Sequence, residues 1–216
     1  MKKNAFIDSG IFRFLSRIAD LIILNILFLL CCLPIITIGA ALTAMFYVTL
    51  RMARNEESYI TKNFFHSFRQ NLKQGIVTHL IFSAVSIIIG FDVYVLWKFM
   101  DISWVFKYLL VALLIILVLH FMTFIYLYPV LAQFNNTIRN TIKNARFMSL
   151  KHFPYTLSMS LISIFPIFCV WYIKYFLEWG ILIFILFGFA LIAYLNSLFL
   201  VKIFDKYINE QNSQDS

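Results

Sequence analysis

Charge is scarce in this chain, and acidic charge most of all. Only 13% of the 216 residues are charged, and ten Asp and Glu face eighteen Lys and Arg. Glycine and proline number just six and four, and no Ser/Gly/Pro-rich stretch divides the chain. That excludes modules strung on flexible linkers. The three cysteines, Cys31, Cys32 and Cys169, all fall inside apolar runs. Adjacent cysteines with no C-x-x-C spacing suggest neither a disulfide framework nor a metal site, and they read as small buried hydrophobes. H-E-x-x-H, G-x-S-x-G, Walker A and G-x-G-x-x-G are all missing, so no catalytic centre and no cofactor is expected. His79 and His120 have no carboxylate or third ligand nearby in sequence, so no metal is expected.

What the chain has in abundance is apolar surface. Hydrophobic residues make up 62% of it, and the mean hydropathy is +0.86. A soluble domain of this size cannot hide that much, so the bilayer must be its solvent. The expected organisation is one membrane domain over residues 1–208, with a polar tail over 209–216. The N-terminus carries charge as far as Arg17 and lacks a small-residue cleavage site. A cleaved secretory signal peptide is not expected there.

A helix needs about 20 apolar residues to cross a bilayer. Gly75–Trp97, Trp104–Tyr128, Phe153–Ile173 and Trp179–Val201 each suffice. Their apolar runs are continuous rather than alternating, which means helices and not barrel strands. The run from Ile18 to Leu50 is too long for one ordinary span and short for two.

The basic residues decide between those readings. They gather in the N-terminal arm, in the Arg51–Lys73 segment, in the Arg139–Lys151 segment and at Lys202 and Lys206. Basic loops stay cytoplasmic. The Ile18–Leu50 run is therefore expected to enter and return, the alternative being one long tilted helix kinked at Pro34. Pro34 disfavours helix at Leu33, and Thr37 is placed to cap a second helix. The expectation is two helices, about Ile18–Leu33 and Ile38–Arg54, broken at Pro34–Thr37. Gly39, Ala40, Ala41 and Ala44 give the second a face for close packing. The fold class is thus an all-α polytopic bundle of five to six membrane segments, with both termini cytoplasmic.

Two basic segments read as amphipathic helices. In ITKNFFHSFRQNLK, Ile60, Phe64, Phe68 and Leu72 form a stripe apart from Lys62, His66, Arg69 and Lys73. In NNTIRNTIKNARFMSLKHF, Ile138, Ile142, Ala145 and Met148 do the same, beside Arg139, Lys143 and Arg146. Such helices lie in the membrane interface. Phe64, Phe68, Arg69, Arg146 and Lys151 are the candidate contacts with a partner or with lipid. Each amphipathic segment leads directly into a membrane segment, which hints at an internal repeat. The net charge of +8 does not imply nucleic acid, because the cations sit beside membrane helices, where lipid headgroups and orientation account for them.

The embedded polar residues Asn25, His79, His120 and Asn196 are placed to share a layer in the inner half of the bilayer. They suit either a polar path or interhelical hydrogen bonds.

The stretch FRFLSRIADLIILNILFLLCCLPIITIGAALTAMFYV, followed by NEESYITKNFFHSFRQNLKQG, resembles the YesL-like family of bacterial membrane proteins, a domain of unknown function. The resemblance rests on LP-x-x-T-x-G-A-A-x-T-A at Leu33–Ala44 and on F-x-x-x-F-R-x-N at Phe64–Asn71. It implies a bacterial plasma membrane protein and an accessory role in carbohydrate uptake beside the permeases of a sugar ABC importer. It carries no catalytic or binding residues. The segment NARFMSLKHFPYTL is similar in outline to the coupling loop of ABC permeases but lacks its Glu-Ala-Ala and Gly. A permease subunit itself is therefore not expected.

Overall fold

The computed structural model describes residues 10–56, 59–172 and 184–213, and these are helical throughout apart from short turns. Helix α1 spans Gly10–Cys32. A 3-10 turn over Ile35–Thr37 separates it from α2, Ile38–Ala53. Helix α3 is Ile60–Gln70, and α4 is Leu72–Phe99. Helices α5, Trp104–Gln133, and α6, Ile138–Lys151, follow. Helix α7 is Phe153–Tyr172. A π-helical turn, Phe184–Gly188, leads into α8, Phe189–Asn212. Among the described residues, five stretches are long and apolar enough to span a membrane: Phe14–Cys32, Ile35–Ala53, Leu72–Phe99, Trp104–Gln133 and Phe184–Glu210.

The opening run does fold back on itself. Arg17 near the start of α1 bonds to Asn55, just past the end of α2. One kinked span would separate these residues by its full length. The break falls where Pro34 requires it, with Pro34 extended at φ −76° and ψ 110°. The role expected of Thr37 is different from the one found. Its hydroxyl makes no capping bond to α2. It lies 2.6 Å from the Cys31 carbonyl and 2.7 Å from that of Pro34. Thr37 therefore satisfies the orphaned end of α1 rather than the start of α2. The first helix also begins at Gly10 rather than Ile18, so Arg17 rides on a helical face.

Helix α2 forms the centre of the bundle. Ala40, Ala41, Ala44 and Val48 are fully buried, and α3, α4, α5 and α8 all pack on it. Small side chains let those backbones approach. The tightest approach joins Gly39 to α4: a Cβ there would lie 2.2 Å from the Gly75 carbonyl oxygen and 2.6 Å from His79 Cβ.

Helix α2 ends in a Schellman motif. The Glu56 N–H bonds to the Arg51 carbonyl and the Asn55 N–H to that of Met52, each at 3.1 Å. Asn55 takes the left-handed conformation this closure requires, at φ 56°. Asn55→Ala should cost about 1 kcal/mol through that backbone strain, and Asn55→Gly should cost less. Thermal melts of the two variants in one detergent check the order.

The amphipathic helices have the expected period but a different neighbour. Ile60, Phe64 and Ser67 of α3 are buried against the protein, as are Thr141, Ala145, Met148 and Ser149 of α6. Helix α3 lies along α2, with Tyr47 and His66 in ring contact at 6.5 Å. Helix α6 packs chiefly on α5. Each is then separated from the next helix by one residue, Asn71 or His152. The order long helix, amphipathic helix, long helix thus occurs twice, as α2–α3–α4 and as α5–α6–α7.

The two longest helices, α4 and α5, pair with each other, and their far halves are exposed. Ile87, Ile88, Phe91 and Trp97 on one, and Trp104, Tyr108, Ile115 and Val118 on the other, face outward. Helix α8 runs to Asn212, so the polar tail expected over 209–216 begins as helix. Tyr207, just before that stretch, packs on the core. The start of the expected Trp179–Val201 segment, residues 179–183, lies outside the described residues.

Candidate functional site

The membrane-embedded polar side chains are the candidates, and each is engaged by a neighbouring helix. Asn25 is fully buried. Its Nδ2 donates to the Ile185 carbonyl at 2.6 Å, and its Oδ1 accepts the Ala190 N–H at 2.9 Å. The Ile185 carbonyl belongs to the π-helical turn and Ala190 follows it in the first turn of α8, where the regular i→i−4 ladder is interrupted. Asn25 therefore repairs α8 from α1.

His79 and His120 lie on one interface, between α4 and α5. His79 Nδ1 pairs with the Tyr128 hydroxyl at 2.7 Å. His120 Nε2 pairs with Ser86 Oγ at 2.8 Å, and its ring stacks on Phe82 at 3.8 Å. The pairs 79–128, 82–124 and 86–120 step along an antiparallel contact one helical turn at a time. Asn196 sits elsewhere, on α8, and donates to Ser163 of α7 at 3.1 Å. Its Oδ1 is buried with no partner among the described residues. The four residues thus serve three different helix contacts, and only the two histidines share an interface.

Other polar contacts were less visible in the sequence. Arg54 donates two bonds to Asp205 Oδ1, at 2.8 and 3.1 Å, and one to Gln133 Oε1 at 2.9 Å. This clasp joins the ends of α2 and α5 to the C-terminal half of α8. Thr49 meets Ser197 at 2.8 Å, and Tyr126 meets Thr156 at 3.0 Å. Arg17 bonds to both Tyr194 and Asn55. A charge of each sign at two helix ends was the available clue to the Arg54–Asp205 pair. Nothing in the sequence aligned them.

At the α6–α7 break, His152 meets the Tyr207 hydroxyl at 3.1 Å. Burial, with Lys151 and Lys206 close by, holds its imidazole below the usual histidine pKa. Lys151 lies over the Phe147 and Tyr207 rings, at 5.5 and 5.0 Å.

The expected contact residues divide. Phe64 is fully buried, so it is corrected from a partner contact to a core residue. Phe68 is half-buried and stacks on it, with ring centres 6.1 Å apart. Arg69, Arg146 and Lys151 are exposed. The sequence showed an apolar stripe but not which surface would cover it. Cys31 and Cys32 are free and half-buried. Among the described residues, no group of three His, Cys, Asp or Glu is arranged to hold a metal.

These features define a multi-pass, all-helical membrane protein. Within that class, residues 21–93 match the family model described as "Protein of unknown function, DUF624". The match runs from α1 through α2 and α3 into α4, and so contains the Pro34 break and the Gly39–Gly75 contact. No curated protein and no solved structure matches the chain.

Proposed function

We propose that the chain is a non-enzymatic accessory membrane protein that acts by binding other membrane proteins. In this reading, the YesL-like resemblance points to the permeases of a sugar ABC importer in a bacterial plasma membrane, and both termini are cytoplasmic. The observation that carries the reading is the contrast between the polar and apolar groups. Asn25, His79 and His120 are committed to helix–helix bonds. The α4–α5 pair meanwhile presents Ile87, Phe91, Ile115 and Val118 on its outer surface. Lipid chains and a neighbouring membrane helix can each cover such a surface, and in this reading a partner's helix covers part of it.

The test is a pull-down from native membranes in mild detergent or nanodiscs, with co-purifying proteins identified. Permeases recovered in near-stoichiometric amount are the expected result. Recovery of the chain alone, under conditions that keep other membrane complexes intact, overturns it in favour of an independent transporter.

A further inference from the structure

We propose that the groove between α4, α5 and α6 binds one anionic phospholipid. Arg146 takes the phosphate, and Val85, Ile116 and Leu119 take the start of an acyl chain. The cavity is about 280 Å³ and is lined by these four residues together with His120 and Ser149, among others. Val85, Ile116 and Leu119 are each two-fifths exposed or more, so the apolar wall continues onto the outward surface of the helix pair. A chain longer than the cavity therefore stays on apolar surface.

The polar end has a free cation. Arg146 is exposed, and among the described residues its guanidinium joins neither ion pair, both of which use other arginines. The other polar liners are already engaged. Ser149 Oγ donates to the Arg146 carbonyl at 2.8 Å, and His120 Nε2 is held by Ser86.

Charge selects the headgroup. Arg139, Lys143 and Arg146 are spaced i, i+4, i+7 and share one exposed face of α6. No acidic residue occurs from Ile102 to Leu177, and Glu210 of α8, the acid beside α6, lines a separate cavity with Asn144, Phe147 and Met148. A phosphodiester with no ammonium, of the phosphatidylglycerol kind, fits that field. A choline headgroup would bring a second cation into it. Guanidinium also suits phosphate geometrically, through paired N–H donors. The inference rests on the membrane reading of α4 and α5 and needs no partner protein. A chain without permease partners can still bind the lipid, so the two proposals fail separately.

The experiment uses the full chain, purified and delipidated in detergent. It is titrated with dioleoylphosphatidylglycerol or dioleoylphosphatidylcholine and read by native mass spectrometry. A single phosphatidylglycerol adduct should form at lower lipid concentration than the phosphatidylcholine adduct. Arg146→Gln should weaken the first by about fivefold, as expected for one interfacial cation, and should weaken the second less, because the choline offsets the charge of its phosphate. Ile116→Trp, which fills the apolar end, should weaken both. Lys62→Gln, on α3, should alter neither. Equal affinity for the two lipids, or equal losses from Arg146→Gln and Lys62→Gln, overturns the proposal. Displacement of the bound lipid by millimolar inorganic phosphate also overturns it, because the acyl chain would then contribute nothing.

Discussion

Gly39→Val should destabilise the protein more than any other single substitution in the opening hairpin. Even the first carbon of a side chain at Gly39 would lie 2.2 Å from the Gly75 carbonyl oxygen. That atom belongs to the backbone of α4 and cannot rotate aside. The reciprocal contact is also too close for a side chain, with a Gly75 Cβ 2.7 Å from the Ala40 backbone. Helices α2 and α4 must separate to admit the new atoms, and the buried face of α2 loses contact along its length. The cost should reach or exceed about 3 kcal/mol, the top of the usual range for overpacking.

Thermal unfolding of a fluorescent fusion, followed by size-exclusion chromatography, measures it. Two comparisons make the result specific. Gly90→Ala, in the same helix as Gly75 but with nothing within 4 Å of its added Cβ, should be neutral or stabilising by up to about 1 kcal/mol. Gly39→Ala and Gly75→Ala combined should cost less than their sum, because both open the same contact. Additive losses would mean that the two glycines do not meet.

Asn25→Leu should be the second large loss. Leucine matches the shape approximately but withdraws both bonds, leaving the Ile185 carbonyl and the Ala190 N–H without their partner. Each buried orphan costs about 1–3 kcal/mol, and no water is at hand in the membrane interior to replace the lost bond. His120→Phe should cost less. Its partner Ser86 already donates to the Phe82 carbonyl at 2.9 Å, and a phenyl ring preserves the stacking on Phe82. Parallel melts of the two variants give the order. The same pair separates structure from transport. If Asn25 lined a solute path, Asn25→Leu would abolish flux while leaving the melting temperature unchanged.

The place of Asn25 also shows how a correct residue choice can carry too little geometry. Asn25, His79, His120 and Asn196 stand out because polar groups in apolar helices are costly and must be satisfied. Their depth along each helix follows from counting residues, but the direction each side chain points depends on how the helices rotate and cross. Asn25 turned towards α8 because a π-helical turn there exposed two backbone groups. Nothing in the local sequence of α1 announces a defect in a helix about 160 residues away. Phe64 makes the same point for α3. The four-residue spacing of Ile60, Phe64 and Phe68 fixes an apolar face, yet lipid and protein satisfy such a face equally well. The neighbouring helix α2 decided it.

The sequence by itself determined the helical class, the membrane solvent and the break at Pro34, and it favoured the return of the first run, which the Arg17–Asn55 bond then decided over one kinked span. Those follow from rules that act over a few residues: continuous hydropathy, the missing proline donor, the small residues after Thr37 and the distribution of basic charge. Tertiary structure alone decided that Gly75 is the partner of Gly39, that Thr37 closes α1, and that Arg54 clasps Asp205 and Gln133. It also placed Arg146 beside an apolar groove. Each of these joins groups on different helices. Helix crossing and rotation are set by the packing of the whole bundle, which no local pattern encodes.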